Sequence, residues 1–535
     1  MLTPSSSPAA RPILVPRTNV LTTPQARAKL FLPTPPADSK ATKRPLPAAD
    51  KPALKRLKLG SKDVFADNED SETESEWDSD GDVDMRDATT ERVRERTNAA
   101  YQLHTQFIAN PISRCRRQPP STLPILRSFV SSLKSDAYKC QSIAGDIYLT
   151  PPYACSYSHG SKRGSTPLLA VATEQGTVHI INTSKRKDWD AEPQRATYQP
   201  HDNGVFDVQW SHDDSFLATS SGDQSTRISD ARTGALTGVL RGHAGTVKCS
   251  RWDPNNPSLL ASGGRDGSIC LWDIRVGEKL SDSECYSAGP VVTIYGAHEN
   301  TAVKTKPRAR KGKQAPAPRT ITSILFPSSQ PYGLVSSSSC DGVLKYWDLR
   351  RPETPRKAKS AKSLLPPELH SSMDPTILNG SRRPRGIVSM TCGMGPTAGL
   401  IFALAADSTV HTYDLPTLSL QSSTYSQENL QTSSFYLGLS LSPCGRWLAS
   451  GGSGNKGSAF LFDVERAAHP VSGVQTGIEL RGGAAEVGAV DWARDTLSTC
   501  ADDGVVRIWR PDLATRLKCA ETPEESKWDW LWAGQ

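Results

Sequence analysis

Beyond about residue 136 the apolar positions fall in short runs that recur at a regular spacing, and a repeat of this kind outranks any local reading. Each unit closes on a β-run ending in an aromatic residue or its substitute, usually followed by Asp. In order these are His179-Ile-Ile-Asn182, Arg227-Ile-Ser-Asp230, Cys270-Leu-Trp-Asp273, Lys345-Tyr-Trp-Asp348, His411-Thr-Tyr-Asp414, Phe460-Leu-Phe-Asp463 and Arg507-Ile-Trp509. Positions 182, 229, 272, 347, 413, 462 and 509 are separated by 47, 43, 75, 66, 49 and 47 residues. Four intervals lie near the roughly 40–45 expected of a four-stranded unit, and the two long ones carry insertions. Within the third unit the pattern is Gly242-His243, a run from Val247 to Trp252, a run from Leu259 to Gly264, the turn Asp266-Gly267, and Ser268 to Trp272. Asp-Gly supplies the positive φ of a tight hairpin. Asp223, Asp341, Asp407 and Asp503 stand at equivalent turns.

Seven such units predict an all-β, seven-bladed β-propeller over 136–520, a ring that abolishes free sheet edges. Units one, five and six are degenerate, and unit seven has Arg481-Gly-Gly483 where a His is expected. The last blade lacks a fourth strand; either Ala514 to Ala520 or the segment Asp136 to Gln141 would close the ring. His201, His243 and His298, with Asp223, Asp266 and Asp341, are expected to form buried polar networks that fix the blades rather than catalytic triads.

The front of the chain reads differently. Residues 1–88 are rich in Pro, Ser, Thr and Ala, poor in aromatics and without periodicity, which predicts a disordered extension. Apolar residues make up only 36% of the 535, consistent with an unpacked portion. Charge is segregated, with eleven Lys/Arg against two Asp in 1–60 and two Lys/Arg against twelve Asp/Glu in 61–90. Lys43-Arg44 and Lys55-Arg56-Leu57-Lys58 have the two-cluster spacing of a bipartite nuclear localisation signal, so a nuclear protein is expected. The acidic block holds Ser71, Thr73, Ser75 and Ser79, each with an acid three positions on, as an acidophilic kinase requires. Residues 89–135 are expected to be a partly helical linker, with helices over Thr90–Ile108 and Leu123–Leu133, that packs on the propeller or docks on a partner. Residues 521–535 form a Trp-rich tail. No run of about 18 apolar residues predicts a membrane span. Eleven scattered cysteines without a CxxC pair fit reduced thiols.

No Gly-rich phosphate cradle, metal-ligand spacing or nucleophile elbow is present, so a non-catalytic binding platform with no cofactor and no metal is expected. Two features are sharper. Trp272-Asp273-Ile-Arg275 and Trp347-Asp348-Leu-Arg350 place Arg at the same position of consecutive units, where a fork of donors suits a partner's carboxylate or carbonyls. The insertions at 299–319 and 351–385 are basic. The first holds Lys304, Lys306, Arg308, Arg310, Lys311, Lys313 and Arg319, and the second Arg351, Arg356, Lys357, Lys359, Lys362, Arg382, Arg383 and Arg385. They are expected to pool charge on one rim that meets DNA phosphates or an acidic surface.

Pro151-Pro-Tyr-Ala-Cys155, Leu169-Ala-Val-Ala-Thr-Glu-Gln-Gly176, Asn203-Gly-Val-Phe-Asp-Val208, Ser221-Gly-Asp-Gln-Ser-Thr226, Gly263-Gly-Arg-Asp-Gly267, Gly296-Ala-His-Glu-Asn-Thr301 and the run Ser339 to Arg350 together resemble the denticleless family of WD-repeat proteins over roughly 138–510. The resemblance implies a substrate receptor of cullin-4 RING ubiquitin ligases. Its implied partners are the large propeller adaptor of those ligases and protein substrates bound to the sliding clamp, with weak or indirect DNA contact and no membrane. The implied substrates are a replication licensing factor, a histone methyltransferase, a kinase inhibitor or a ribonucleotide reductase inhibitor. Adaptor docking carries over onto Trp272, Asp273, Arg275, Trp347, Asp348 and Arg350, and clamp, DNA or degron binding onto Lys304 to Arg319. The alternative is a chromatin- or DNA-binding scaffold outside the ubiquitin system.

Overall fold

The computed structural model describes residues 121–143, 148–279, 285–299, 319–350, 367–378, 380–454, 457–469, 473–483 and 485–534. All of them belong to the compact unit that starts at Ser113. The basic clusters at 43–58, the acidic block and the helix expected over 90–108 lie outside these residues.

Seven antiparallel sheets form the blades of a propeller. Blade 3 illustrates the local logic. Val247–Asp253, Asn256–Gly264, Ile269–Asp273 and Val292–Ile294 pair in that order. At the turn of the second hairpin Gly267 takes φ +75°, as Asp-Gly predicts. Blade 1 makes the same turn at Gly176, where a Cβ would come within 2.0 Å of the His201 carbonyl oxygen, so only Gly fits. Apolar faces pack between adjacent blades. Cys249, Ala261 and Leu271 of blade 3 meet Ile321, Ile324 and Leu334 of blade 4, and the same alternation continues round the ring.

The blade expected to lack a strand is completed by the N-terminal side of the chain. Val505–Pro511 is the third strand of blade 7. It pairs with Phe129–Ser132 through Phe129↔Pro511 and Val130↔Arg510, and with Ala137–Lys139 through Ala137↔Arg507. Trp530–Trp532 then adds outside Phe129–Ser132, so both flanks of the propeller interlock in one sheet. Three expectations change accordingly. Residues ahead of the expected start at 136 already belong to the ring, because Thr122 donates its N–H to Asp463 and accepts from Trp447 Nε1. Leu123–Leu133 is one helical turn, Leu123–Leu126, followed by a strand. Ala514–Ala520 is part of the helix Leu513–Glu521, N-capped by Asp512, and supplies no strand. The 521–535 tail is likewise partly built into the ring, with Trp532 and Ala533 buried.

Two inter-strand segments, one of them in the first long interval, hold more than loops. After blade 3's third strand the chain reaches back to blade 2, where Tyr286–Ala288 pairs in parallel with Leu236–Arg241. Gly238 makes room for the Tyr286 ring, which a Cβ would approach to 2.3 Å. Blade 5 gains a parallel fifth strand in the same way, Gly473–Thr476 beside Leu420–Ser426.

Candidate functional site

Because four antiparallel strands alternate direction, the loops of every blade divide between two ends of the ring. Loops after the first and third strands gather at one end. Loops after the second strand, and those linking blades, gather at the other.

Asp273 and Asp348 end third strands, so Arg275 and Arg350 emerge at the first end, on consecutive blades, as the repeat register predicts. Each Asp caps the following backbone and holds its own Arg. Arg275 Nε and Nη2 lie 2.9 and 2.7 Å from Asp273, and Arg350 Nε and Nη2 lie 2.9 and 2.6 Å from Asp348. Their side chains remain 64% and 62% exposed. Trp272 and Trp347 do not join this surface; both are buried and donate Nε1–H to Ser262 and Ser336 at 2.8 and 2.9 Å. Tyr332, in the left-handed region at φ +72° and half exposed, places its ring 5.9 Å from the Arg350 guanidinium. The corresponding Ser229-Asp230-Ala231-Arg232 of blade 2 is not equivalent, because the Asp230 side chain bonds Thr233 rather than holding Arg232 in a fork.

The expected polar networks occur, with one departure. His243 lies 3.2 Å from Asp266 and 2.8 Å from Ser262, which also accepts from Trp272. His201 spans Asp223 and Thr219 at 2.8 and 2.9 Å. Thr219 and Ser262 are fully buried, so these Ser/His/Asp and Thr/His/Asp sets face no substrate. In blade 4, His298 meets Ser336 at 3.0 Å but not Asp341. Arg319 takes Asp341 instead, at 2.8 Å, and His298 Nδ1 is left without a partner. Arg319, expected in the DNA-, clamp- or degron-binding set, is thus held inside the blade; Lys304, Lys306, Arg308, Arg310, Lys311 and Lys313 lie outside the described residues.

The basic insertions do not share one rim. The anchors of the first, residues 299 and 319, lie in the link between blades 3 and 4, at the second end. Residues 351–366 follow the third strand of blade 4, Lys345–Asp348, and precede its fourth, Leu369–His370, so both their anchors lie at the first end beside Arg350. Only Arg382, Arg383 and Arg385, in the link to blade 5, return to the second end.

Sequence reasoning missed the second end's most distinctive feature. Starts of first strands and their links bring Tyr153, Phe206, Phe435 and Tyr436 together at the channel mouth. Tyr153 stacks on Phe206 at 5.6 Å and lies 5.0 Å from Tyr436, while Phe435 contacts Phe206 and Tyr436 at 5.7 and 5.4 Å. Lys248 Nζ sits 4.4 Å from the Phe435 ring and 5.0 Å from Phe206. Burial pushes its ammonium down to about 7. These side chains top a channel cavity of about 640 Å³ that Asp207, Arg251 and Asp491 also line. Behind Tyr436 stand Asp502, which accepts its hydroxyl at 2.8 Å, and Glu486. Burial, with neighbouring negative charge, raises both carboxyls above their ordinary range. The signal was available only in the fold: the four aromatics come from three separate parts of the chain.

Among the described residues no group of His, Cys, Asp or Glu side chains is arranged to hold a metal ion, and no helix is long and apolar enough to cross a membrane.

Seven blades, two of which carry a buried Trp–Ser–His network, define a WD-repeat propeller. In agreement, the family model described as WD domain, G-beta repeat matches residues 192–230, 234–273 and 313–348. Among curated proteins, the chain is 32% identical over 361 residues to the cell division cycle protein cdt2 of Schizosaccharomyces pombe, covering 65% of this chain and 67% of that protein. It is 30% identical over 402 residues to the denticleless protein homolog of Danio rerio, covering 72% of this chain and 56% of that one. For denticleless protein homolog A of Xenopus laevis the identity is 31% over 394 residues, covering 71% and 50%. The chain belongs to the denticleless family. It spans about half the length of the animal relatives it matches.

Proposed function

We propose that this protein is a substrate receptor of a cullin-4 RING ubiquitin ligase, binding the ligase's large propeller adaptor at its first end. The observation that carries this reading is the pair Arg275 and Arg350. Both are exposed, both are fixed by their own Asp through Nε and Nη2, and both stand at the same end on consecutive blades. The Nη1 edge of each fork is then the one a partner's carboxylate or carbonyl meets. Fixing the fork in advance reduces the rotamer entropy lost on docking. The receptor performs no bond chemistry; it raises the local concentration of substrate lysines at the ligase. Clamp-bound replication and cell-cycle regulators are the substrates we assign to it, and Lys43, Arg44, Lys55, Arg56 and Lys58 the signal that takes it to the nucleus.

The test uses the full chain and purified adaptor in a direct binding assay. Arg275→Ala with Arg350→Ala is expected to weaken adaptor binding at least tenfold without changing circular dichroism or melting temperature. Undiminished binding by the double variant overturns the assignment. A basic scaffold acting through DNA would instead show a steep fall in affinity for naked duplex as salt rises.

A further inference from the structure

A second cavity, of about 540 Å³, lies on the outer rim of the ring, where blade 6 meets the flanks that close blade 7. Three separate parts of the chain each bring an arginine to it. Arg127 follows the helical turn Leu123–Leu126, Arg481 ends the outer strand of blade 6, Ile478–Arg481, and Arg516 stands on the helix Leu513–Glu521. The end of the described chain completes the wall, with Ala533 bridged to Leu480 and the Gly534 N–H donated to the Glu479 carbonyl at 3.0 Å.

The donors in this cavity exceed the acceptors. Glu479 is the one carboxylate among the described residues that line it, and it is already engaged. Ser458 donates to it at 2.6 Å, Asn429 at 2.9 Å and Arg481 Nη2 at 3.1 Å. Against the pull of burial, these bonds hold its carboxyl below the ordinary range. Arg481 Nε and Arg516 Nε are nevertheless buried without an acceptor. Gln427 spends its carbonyl on the Asn429 N–H, which leaves its amide N–H groups as further donors. Three guanidinium groups against one carboxylate leave the lining a formal surplus of two positive charges. Buried donors without acceptors cost free energy, and like charges sharing a cavity repel. An anion relieves both.

We propose that this cavity binds a phosphate monoester, presented by a phosphoserine or phosphothreonine side chain or by a small phosphorylated molecule. Such a group carries about −1.5 to −2 charges at neutral pH and three acceptor oxygens, which match the surplus charge and the three guanidinium groups. Arginine forks meet phosphate oxygens bidentately, which adds geometric selection to charge. A single carboxylate would neutralise only half the surplus, and a cation is repelled. The volume leaves room for the residue or ring that carries the phosphate. This chemistry does not rest on the receptor reading.

The experiment uses the full-length protein at physiological ionic strength and two phosphate sources, each with its control. One is a fluorescent nonapeptide pool with random flanks and a central phosphoserine, against the same pool with serine or glutamate. The other is myo-inositol hexakisphosphate, against the hexakissulfate of the same ring. At least one source is expected to bind about tenfold or more tightly than its control. Preference for the phosphoserine pool assigns the carrier to a protein, and preference for the inositol phosphate alone assigns it to a small molecule. Arg127→Gln with Arg516→Gln is expected to abolish the preference. Arg241→Gln with Arg265→Gln removes the same charge from exposed positions of blades 2 and 3 and is expected to leave binding within about twofold, because distant surface charges are screened. Arg127 is exposed, Arg516 is half-buried, and the Arg481–Glu479 pair is untouched, so both double variants should melt with the parent protein. Should the first melt earlier, Arg127→Gln alone carries the test, and undiminished binding by it counts against the site. Equal binding of both sources and their controls, a preference that survives loss of Arg127 and Arg516, or an equal loss in the Arg241 and Arg265 variant overturns the proposal.

Discussion

His243 and His298 stand at the same position of neighbouring blades, yet their surroundings drive their protonation in opposite directions. Burial disfavours the charged form of both. At His243 the Asp266 hydrogen bond, then Cys270 and last the Asp266 charge, together outweigh burial and lift the imidazole to about 9. At His298 burial, reinforced by Lys345 and Arg319 and opposed only by a weaker hydrogen bond at Ser336, lowers it to about 3. The difference is Arg319, which occupies Asp341. Selective NMR of the histidine ring protons should show one resonance titrating near 9 and another that stays neutral to strongly acid pH. The stability consequences follow from linkage. His243 contributes stability that is fully present below the ordinary imidazole value of about 6.5 and is lost as pH rises through about 9. His298 is neutral when folded and protonated when unfolded between about 6.5 and 3, so its contribution falls as pH drops through that window. Arg319→Gln frees Asp341 and should bring the His298 titration into the range of about 5 to 8. No movement of that resonance would sink this account. The repeat made the His201–Asp223 and His243–Asp266 pairs legible in sequence, but the expected His298–Asp341 pair is replaced by Arg319–Asp341, which was not legible because Arg319 reads as the last residue of a basic insertion.

At the scale of elements, the closure of the ring was legible only in part. The need for a missing strand in blade 7 follows from counting β-runs, and Asp136 to Gln141 was one of two segments able to fill it. Phe129–Ser132 was not legible, because the apolar spacing of Leu123, Leu126, Val130 and Leu133 fits a helix as well as a strand. The open edge of Val505–Pro511, nearly 380 residues away in sequence, decides between them by offering a row of unpaired N–H and C=O groups. Phe129 shows the energetic side. It is fully buried, edge-on to Trp492 at 5.8 Å and to Trp447 at 6.2 Å, and so bolts blade 6 to blade 7. Phe129→Ala should destabilise the propeller by about 3–5 kcal/mol in denaturant titrations followed by tryptophan fluorescence. Leu513→Ala, at an exposed helix position, should stay within about 0.5 kcal/mol of the parent. A small effect at Phe129 would mean the N-terminal strand is not part of the cooperative unit.

Across the whole molecule, charge and aromatic surface are divided between two ends, and this division was the least legible part. Sequence order suggested a single basic rim, but alternation of strand direction anchors the second insertion, at 350 and 367, at the Arg275 and Arg350 end and the first, at 299 and 319, at the other. Tyr153, Phe206, Phe435 and Tyr436 look unremarkable in their separate repeats and become a site only when first strands are set side by side round a channel. The architecture also predicts how the ends communicate. Each inner strand is hydrogen-bonded within its blade and the last blade is interlocked by both flanks of the chain, an architecture that predicts a ring with a single arrangement. Allosteric coupling needs an element with two, since a ligand shifts only an equilibrium for which it has differential affinity. Affinity for the proposed adaptor at the Arg275 and Arg350 end should therefore stay within about twofold when Phe435→Ala alters the channel mouth. Titration of parent and variant decides it. A change of about fivefold or more, the lower range of ordinary coupling, would mean that the ring moves as it binds. The Asp207–Arg251 pair in the channel wall, which ties the first strands of blades 2 and 3 together, would then be the first place to cut.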